Sequence, residues 1–245
     1  MQYLYTKKKN KSIMNKKIIL LAIASILTSI PMFGQHFRDS KYYNQNTGRL
    51  DYNKGTSYYC PWGYAGLRIG PSFSSFSSDY SMYDSAGGQT GLNLTAVTGF
   101  KLTSSTPLYL ESGLAYTEKG AKDGSGRNKI EYNVNYLEVP LVVKYIYNVD
   151  DDISIQPFAG GYFACGVGGK IKDYSTRESW SAFGKDKPGL PRFDRWDSGL
   201  KFGCGFGYDV FYADVNVEIG LANISNDSFD KTRNLAFSVN FGVNF

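Results

Sequence analysis

Charged side chains of both signs recur at every second position in several segments that are otherwise apolar or rich in glycine. If alternation places them on one buried face, they must pair, because a buried charge without a partner is costly. The sequence therefore predicts a structural ion-pair network, with an ion-conducting path between these residues as the alternative. The predicted members are Arg68, Lys101, Glu111, Glu138, Lys144, Lys201, Asp214 and Glu218.

A catalytic centre would need a base, and the sequence offers few. The one histidine, His36, lies far from these charged segments, so a Ser–His or Asp–His centre is not expected. Glu111 and Glu138 could act together without histidine, but Arg68 and Lys144 are equally available to neutralise them. We predict no catalytic residues and no enzyme activity.

The three cysteines do not suggest a metal site. Cys60, Cys165 and Cys204 lack metal-ligand spacing and have no histidine nearby. The sequence therefore predicts neither a metal nor a cofactor. Cys165 and Cys204 fall on the apolar sides of two late segments, where simple apolar contact and a cross-strand disulfide both remain open.

The first 34 residues have the organisation of a secretory signal peptide. A basic region precedes an apolar run over residues 18–30, and Gly34 stands before the expected cleavage point. Met14 is the expected true start. Six of the 27 basic residues precede Gly34 and none of the 22 acidic residues does, so the remaining chain carries a formal charge near −1. Nucleic-acid binding loses its electrostatic support, and we predict no nucleic-acid partner.

Strict alternation of apolar with polar or small residues begins near residue 64 and recurs in eight segments, for example 137–145 and 200–208. The links near 74–90, 118–131, 172–197 and 222–233 are long, whereas those near 103–107, 148–152 and 209–211 are short. This ordering predicts an all-β, eight-stranded antiparallel transmembrane β-barrel with short periplasmic turns and long extracellular loops. The expected location is the outer membrane of a Gram-negative bacterium.

The predicted barrel domain covers residues 63–245, after a polar periplasmic lead-in over residues 35–62. Its wall should contact outer-membrane lipid. Phe241 and Phe245 end the chain on one face of the last strand, which is typical of the signal that barrel-assembly machinery binds.

The long link over residues 172–197 is rich in aromatic and arginine residues, which are typical of binding hot spots. Loops on a rigid scaffold often carry function, so this link is a candidate recognition loop, with a solvated loop of no specific role as the alternative. Its candidate residues are Tyr174, Arg177, Trp180, Phe183, Arg192, Phe193, Arg195 and Trp196.

Several segments resemble the PorT-like family of outer-membrane β-barrel proteins. Residues 135–145, which read Asn-Tyr-Leu-Glu-Val-Pro-Leu-Val-Val-Lys-Tyr, resemble the family's fourth strand, and residues 220–224 are similar to its late Gly-Leu-x-Asn-Ile element. Pro140 within that strand should lie at a bulge or where no ladder donor is needed. The resemblance covers roughly residues 64–245. It implies a barrel in the outer membrane and, through the family's namesake, an association with secretion of proteins to the cell surface.

The sequence thus predicts a non-enzymatic barrel that serves as a membrane scaffold or interaction component, with envelope secretion components as candidate partners. A small passive pore and a barrel enzyme are the alternatives. A filled lumen argues against the pore, because eight strands enclose only enough space for side chains. The lack of a histidine in the strands argues against the enzyme.

Overall fold

A computed structural model describes residues 43–44, 49–50, 63–78, 87–103, 105–150, 153–184, 192–225 and 231–244. The chain divides into two units, Met1–Lys54 and Gly55–Phe245. In the first unit, Tyr43–Asn44 pairs antiparallel with Arg49–Leu50. The predicted signal peptide, most of the predicted lead-in, His36, Cys60 and Phe245 lie outside the described residues.

Eight long antiparallel strands form the second unit. Each pairs with its neighbours in the chain, and the eighth pairs with the first, so the sheet closes on itself. The predicted eight-stranded barrel is confirmed. The strands are β1 (Gly63–Ser78), β2 (Gly87–Lys101), β3 (Leu108–Asp123), β4 (Ile130–Tyr145), β5 (Ile153–Asp173), β6 (Trp196–Tyr208), β7 (Phe211–Gly220) and β8 (Thr232–Asn244).

The barrel is polar inside and apolar outside. On β4, for example, Lys144 is fully buried whereas Leu141 is 48% exposed, and the same alternation runs along the other strands. A soluble protein would reverse this order, because exposed apolar area is unfavourable in water. In hydrocarbon the closed ladder satisfies the backbone groups, and apolar side chains face lipid. The exterior apolar band therefore marks the membrane-spanning height of the wall.

Both strand termini of the barrel, Gly63 and Asn244, lie at one end, which we call the turn end; the opposite end is the loop end. At the turn end the links are residues 102–107, 146–152 and 209–210. At the loop end the strands run further than predicted. The predicted long link at 118–131 is mostly strand, because β3 continues to Asp123 and β4 begins at Ile130. Alternating polar residues above the apolar band continue these strands, so the predicted strict alternation of link lengths is wrong at this hairpin.

Two short strands add to the edges of β5: Tyr147–Asn148 pairs near its start and Glu178–Ser181 pairs with its end. The second of these turns part of the predicted 172–197 loop into a hairpin. No helix within the described residues is long and apolar enough to cross a membrane.

The ladder is irregular at four places in the wall, one of which is a gap in the pairing of β8 with β1 at residues 70–71. The register shifts between Gly88 and Asn93 where β2 meets β3, and at Asn135 where β4 meets β5. Opposite Pro140, the β3–β4 pairing lapses without a register shift. The missing N–H of proline therefore falls where no ladder bond is made, as the strand rule for proline requires.

The exterior band generates the first testable prediction. Leu94 faces outward within the band, and arginine there would place a charge in hydrocarbon. We expect Leu94→Arg to lower the free energy of unfolding by about 1–3 kcal/mol, because Leu94 lies between the midplane and the edge of the band. Guanidinium titration of the full chain folded in lipid vesicles measures this loss. Thr90 faces the same way on the same strand, beyond the band, and Thr90→Arg should cost about 0–1 kcal/mol. Equal losses in the two variants would contradict the position of the band.

Candidate functional site

Three of the predicted interior residues form a lower charge cluster near the turn end: Arg68, Glu111 and Lys144. Arg68 donates two hydrogen bonds to the Glu111 carboxylate, at 2.9 and 2.6 Å, in the fork geometry that arginine favours. The Lys144 ammonium lies 2.6 Å from Glu111 Oε2. The Tyr64 hydroxyl also donates to this carboxylate. One carboxylate thus pairs with two cations, and the three residues come from three different strands.

Four charged residues form an upper charge cluster: Lys119, Glu138, Lys201 and Glu218. The Lys119 ammonium lies 3.2 Å from Glu138 Oε2 and 2.7 Å from Glu218 Oε2. The Lys201 ammonium lies 2.6 Å from Glu218 Oε1 and 3.5 Å from Glu138 Oε1. Each lysine therefore contacts both glutamates, and the two charges of each sign balance. All four side chains are buried, so this balance is what makes their burial tolerable.

Aromatic rings enclose the interior cations. The Arg68 guanidinium carbon lies 4.1 Å from the Tyr212 ring centre, and the Lys144 ammonium lies 4.6 Å from the same ring. The Lys119 ammonium lies 4.3 Å from the centre of the Tyr162 ring. A cation placed over the face of an aromatic ring is attracted by the ring quadrupole, and the attraction is stronger where water is excluded. The rings also occupy space that would otherwise hold water.

Asparagines hold two further interior carboxylates. Asn234 donates to Asp197 at 2.7 Å, and the Tyr162 hydroxyl donates to the same carboxylate at 3.2 Å. Asn216 and Asn240 donate to Asp214 at 2.7 and 2.9 Å. Asp214 thus lies in the lumen with amide partners, and no ion pair joins it to another described residue.

An apolar cluster lies at each end of these polar layers. At the turn end, Tyr64 packs on Tyr109, with ring centres 5.7 Å apart, together with Val97 and Ile146. At the loop end a larger cluster includes an aromatic triplet with ring centres 5.2–6.0 Å apart, formed by Phe76, Tyr132 and Phe193. The interior of the barrel is therefore a stack of packed layers in which charges lie between aromatic ends.

The charge clusters differ from the predicted set at two lysines, of which one was predicted and one was not. Lys101 ends β2 half-buried at the turn end, and no ion pair joins it to another described residue, so the structure does not bring it into either cluster. Lys119, which the sequence analysis missed, contacts both upper glutamates. It shares the odd-numbered parity of Glu111 along β3. Extending the alternation past residue 117 would have found it.

In the structure, some residues of the predicted recognition loop pack against the barrel and others are exposed. Phe193 is buried in the loop-end cluster, and Phe183 packs edge-on against Tyr136. Arg195 donates to the Gly166 carbonyl at 2.8 Å and lies over the Phe183 ring. Phe193 and Phe183 thus pack at the loop end of the lumen, whereas Arg195 stays exposed above them. Trp196 is exposed at the start of β6, and Trp180 and Arg192 are half-buried.

The longest exposed stretch of the loop among the described residues is the tip of the β5 hairpin, residues 173–179. It contains Tyr174, 44% exposed, and Arg177, which has a positive φ of 58° in the turn. The Tyr174 hydroxyl donates to Glu131 at 3.0 Å, and Lys129 also pairs with that carboxylate. The hydrogen bond to Glu131 raises the pKa of Tyr174 and the pKa of Lys129. These contacts tie the hairpin tip to β4.

Where the structure describes the chain, the cysteines of the barrel form neither a disulfide with each other nor part of a metal site. Cys165 and Cys204 are both free thiols, and in the ladder they lie opposite Trp196 and Pro157, so they are not cross-strand partners. Within the described part of the chain, no three His, Cys, Asp or Glu side chains are grouped so as to hold a metal ion.

A closed antiparallel barrel with a lipid-compatible exterior and a charge-paired interior defines a transmembrane β-barrel protein. The family model of the outer membrane protein beta-barrel domain matches residues 63–226, and the chain belongs to this family. The prediction of an outer-membrane protein of a Gram-negative envelope is thereby confirmed. Membership in the narrower PorT-like family stays a prediction.

Solved barrels are similar to this chain in outline. They include Ail, the attachment invasion locus protein of Yersinia pestis, in complex with the heparin analogue sucrose octasulfate (16% identity, 75% of this chain and 99% of that chain, TM-score 0.39). They also include OprG of Pseudomonas aeruginosa (14%, 75% and 96%, TM-score 0.44) and Neisserial surface protein A (12%, 74% and 97%, TM-score 0.42). No curated protein matches the chain.

The upper charge cluster generates the second prediction. Lys119→Met leaves Glu138 and Glu218 with Lys201 as their one remaining cation in the cluster. We expect the free energy of unfolding to fall by about 3–5 kcal/mol, because removing one partner leaves an uncompensated buried charge. Guanidinium titration of the full chain in vesicles measures this loss.

The matched control is Lys122→Met, which changes a half-buried, outward-facing lysine on the same strand. It should alter the free energy of unfolding by no more than about 0.5 kcal/mol. If Lys119→Met were as mild as Lys122→Met, the cluster would not hold the barrel together as described.

Proposed function

We propose that this protein is a non-enzymatic, non-conducting scaffold of the outer membrane, of PorT type, which presents an interaction surface at its loop end. One observation carries the proposal: the lumen is filled by two charge clusters enclosed between aromatic layers. A filled lumen supports the scaffold over the pore, because eight strands leave no spare width once side chains pack.

The absence of a proton-transfer centre among the described interior residues also favours a scaffold. The interior carboxylates each bond to cations, amides or hydroxyls, and the chain's one histidine, His36, lies outside the described residues. A base that is held by a cation cannot readily accept a proton from a substrate. Catalysis in the lumen is therefore not part of the proposal.

The proposed contact surface is the hairpin tip, residues 173–179. It projects at the end of β5, exposes Tyr174 and Arg177, and is held by Glu131 and the Asp173 turn. Tyrosine and arginine are enriched in binding hot spots, and a supported loop loses less entropy on binding than a free one. Envelope secretion components are the proposed partners, on the resemblance of residues 135–145 to the PorT-like fourth strand.

Conductance separates the scaffold from the pore. The full chain, isolated from outer membranes and inserted into planar lipid bilayers, should give no reproducible single-channel steps, because the packed layers block the lumen. The measurement needs a parallel check of insertion, such as heat-modifiable migration of the recovered protein. Stable, uniform current steps would replace the scaffold with the passive pore.

Partner capture tests the contact surface. Tagged full-length protein is purified from outer membranes in mild detergent, and co-purifying envelope proteins are quantified. Tyr174→Ala with Arg177→Ala should reduce recovery of a specific partner by about fivefold or more, as loss of a hot-spot pair would. Arg127→Ala, on the neighbouring exposed turn, is the matched control and should leave recovery unchanged. Equal recovery from all variants would remove the hairpin tip from the proposal.

A further inference from the structure

A polar cavity of about 430 Å³ lies in the outer wall of strands β2 to β5, near the loop end. Its volume falls in the range of about 300–1,000 Å³ that small-ligand sites occupy. The cavity is separate from the charge clusters of the lumen: Lys119 contributes to its lining, but the Lys119 ammonium is held inside by Glu138 and Glu218. The other polar lining residues are Gln89, Glu118, Asn133, Asn135, Lys170 and Lys172.

Two irregularities of the ladder build this cavity. The register shift between Gly88 and Asn93 lies on its β2 side, and the shift at Asn135 lies on its β5 side. Bulges redirect side chains and locally bend a strand, which opens space in an otherwise continuous wall. Two glycines allow the strands to approach closely at the edge of the cavity: Gly91 and Gly169 line it, and a Cβ at either position would collide with a backbone oxygen of the neighbouring strand.

The cavity lies where the apolar exterior ends. On β2, β3 and β4, the last apolar or aromatic outward residue is followed, one outward position nearer the loop end, by a residue that lines the cavity; on β5, beyond the register shift, the lining residue comes three positions later. A group bound there is at the depth of lipid headgroups, with hydrocarbon directly below it. The four pairs are Leu92 and Thr90 on β2, Tyr116 and Glu118 on β3, Leu137 and Asn135 on β4, and Val167 and Lys170 on β5.

The lining offers unused hydrogen-bonding capacity and positive charge. Gln89 donates its amide to Asn133, but Gln89 Oε1 is buried and has no hydrogen-bond partner among the described residues. The Glu118 carboxylate also lines the cavity and accepts bonds from the Leu92 N–H and the Tyr116 hydroxyl, so two lysine cations, Lys170 and Lys172, outnumber one carboxylate there. Within the described chain, no ion pair involves Lys170 or Lys172. An anionic ligand with hydroxyl groups would satisfy both the lysines and the amides.

We propose that this cavity binds the phosphorylated sugar headgroup of a glycolipid from the surrounding outer leaflet. Lys170 and Lys172 bind the phosphate, the side-chain amides of Gln89, Asn133 and Asn135 bind sugar hydroxyls, and the acyl chains lie on the apolar band below. Basic pockets at the membrane boundary recognise lipid headgroups by this combination of charge and depth. The cavity meets hydrocarbon at its lower edge, which favours a lipid over a soluble phosphate. This inference does not depend on the proposed scaffold function.

Native mass spectrometry of the full-length protein in mild detergent tests the proposal. The probes are bis-phosphorylated lipid A, the same lipid without phosphates, and glucosamine 1-phosphate, which has the headgroup chemistry but no acyl chains. We expect bis-phosphorylated lipid A to bind most tightly. Lys170→Gln with Lys172→Gln should weaken that binding by about tenfold or more, as the loss of two cations near a membrane surface implies.

A second variant and a control keep the result specific. Asn135→Trp fills the cavity while leaving both lysines in place, and it should weaken binding as strongly. Lys122→Gln with Arg233→Gln removes the same charge from outward-facing positions that do not line the cavity, and it should bind like the unaltered protein. Heat-modifiable migration verifies that each variant is folded.

Three results would overturn the proposal. The first is unchanged lipid A binding in the double-lysine variant, and the second is equal binding of lipid A with and without its phosphates. The third is glucosamine 1-phosphate binding as tightly as lipid A, which would identify a soluble ligand and not a lipid.

Discussion

Lys119 and Lys201 each contact Glu138 and Glu218, and these four side chains come from four strands of the barrel. In the membrane the strands must face their apolar residues outward, so polar residues have no place but the interior. An eight-stranded interior is too narrow to hydrate them. Each interior charge must therefore find a counter-charge or hydrogen-bond donors within the barrel, and this requirement governs the rest of the interior.

Charge pairing explains the layered lumen. In the lower cluster one glutamate pairs with two cations, and in the upper cluster two glutamates pair with two lysines. Asparagine side chains donate hydrogen bonds to the remaining carboxylates. Tyrosine rings fill the space between these layers and contact the cations. Because side chains fill the interior of this barrel, the binding surfaces that we propose are at the loop end and on the wall.

The wall itself is not uniform. Where β2 leaves its register with β3, and where β4 shifts against β5, the sheet gives up some ladder regularity and opens a polar cavity. Ser72 and Ser74 on β1 donate to the backbone carbonyls of Glu118 and Gly120 on β3, so side-chain bonds replace part of the lost ladder. Regular pairing holds the barrel in the membrane, whereas the irregular patch provides a surface with distinct chemistry.

The sequence by itself determined the fold class, the side of the wall on which most residues lie, and most of the charged interior. These features depend on a period of two, which is local and survives in any register. Arg68, Glu111, Lys144, Glu138, Lys201 and Glu218 were all identifiable in this way. The end of β3 was not predicted as strand, because polar residues occupy both of its faces above the membrane. Lys119 was therefore assigned to a loop.

Only the tertiary structure decided which charges meet, because Lys119 reaches Glu218 from a strand about a hundred residues away in the chain, and strand register and barrel closure set that contact. The same holds for the loop aromatics: Phe193 joins the core while Tyr174 faces solvent, although both belong to one aromatic, basic segment. It holds equally for the wall cavity, which arises from shifts between neighbouring strands. The ion pairs, the packing of the loop aromatics and the wall cavity all depend on how different strands lie relative to one another. Composition and spacing along one segment carry no information on that relative position.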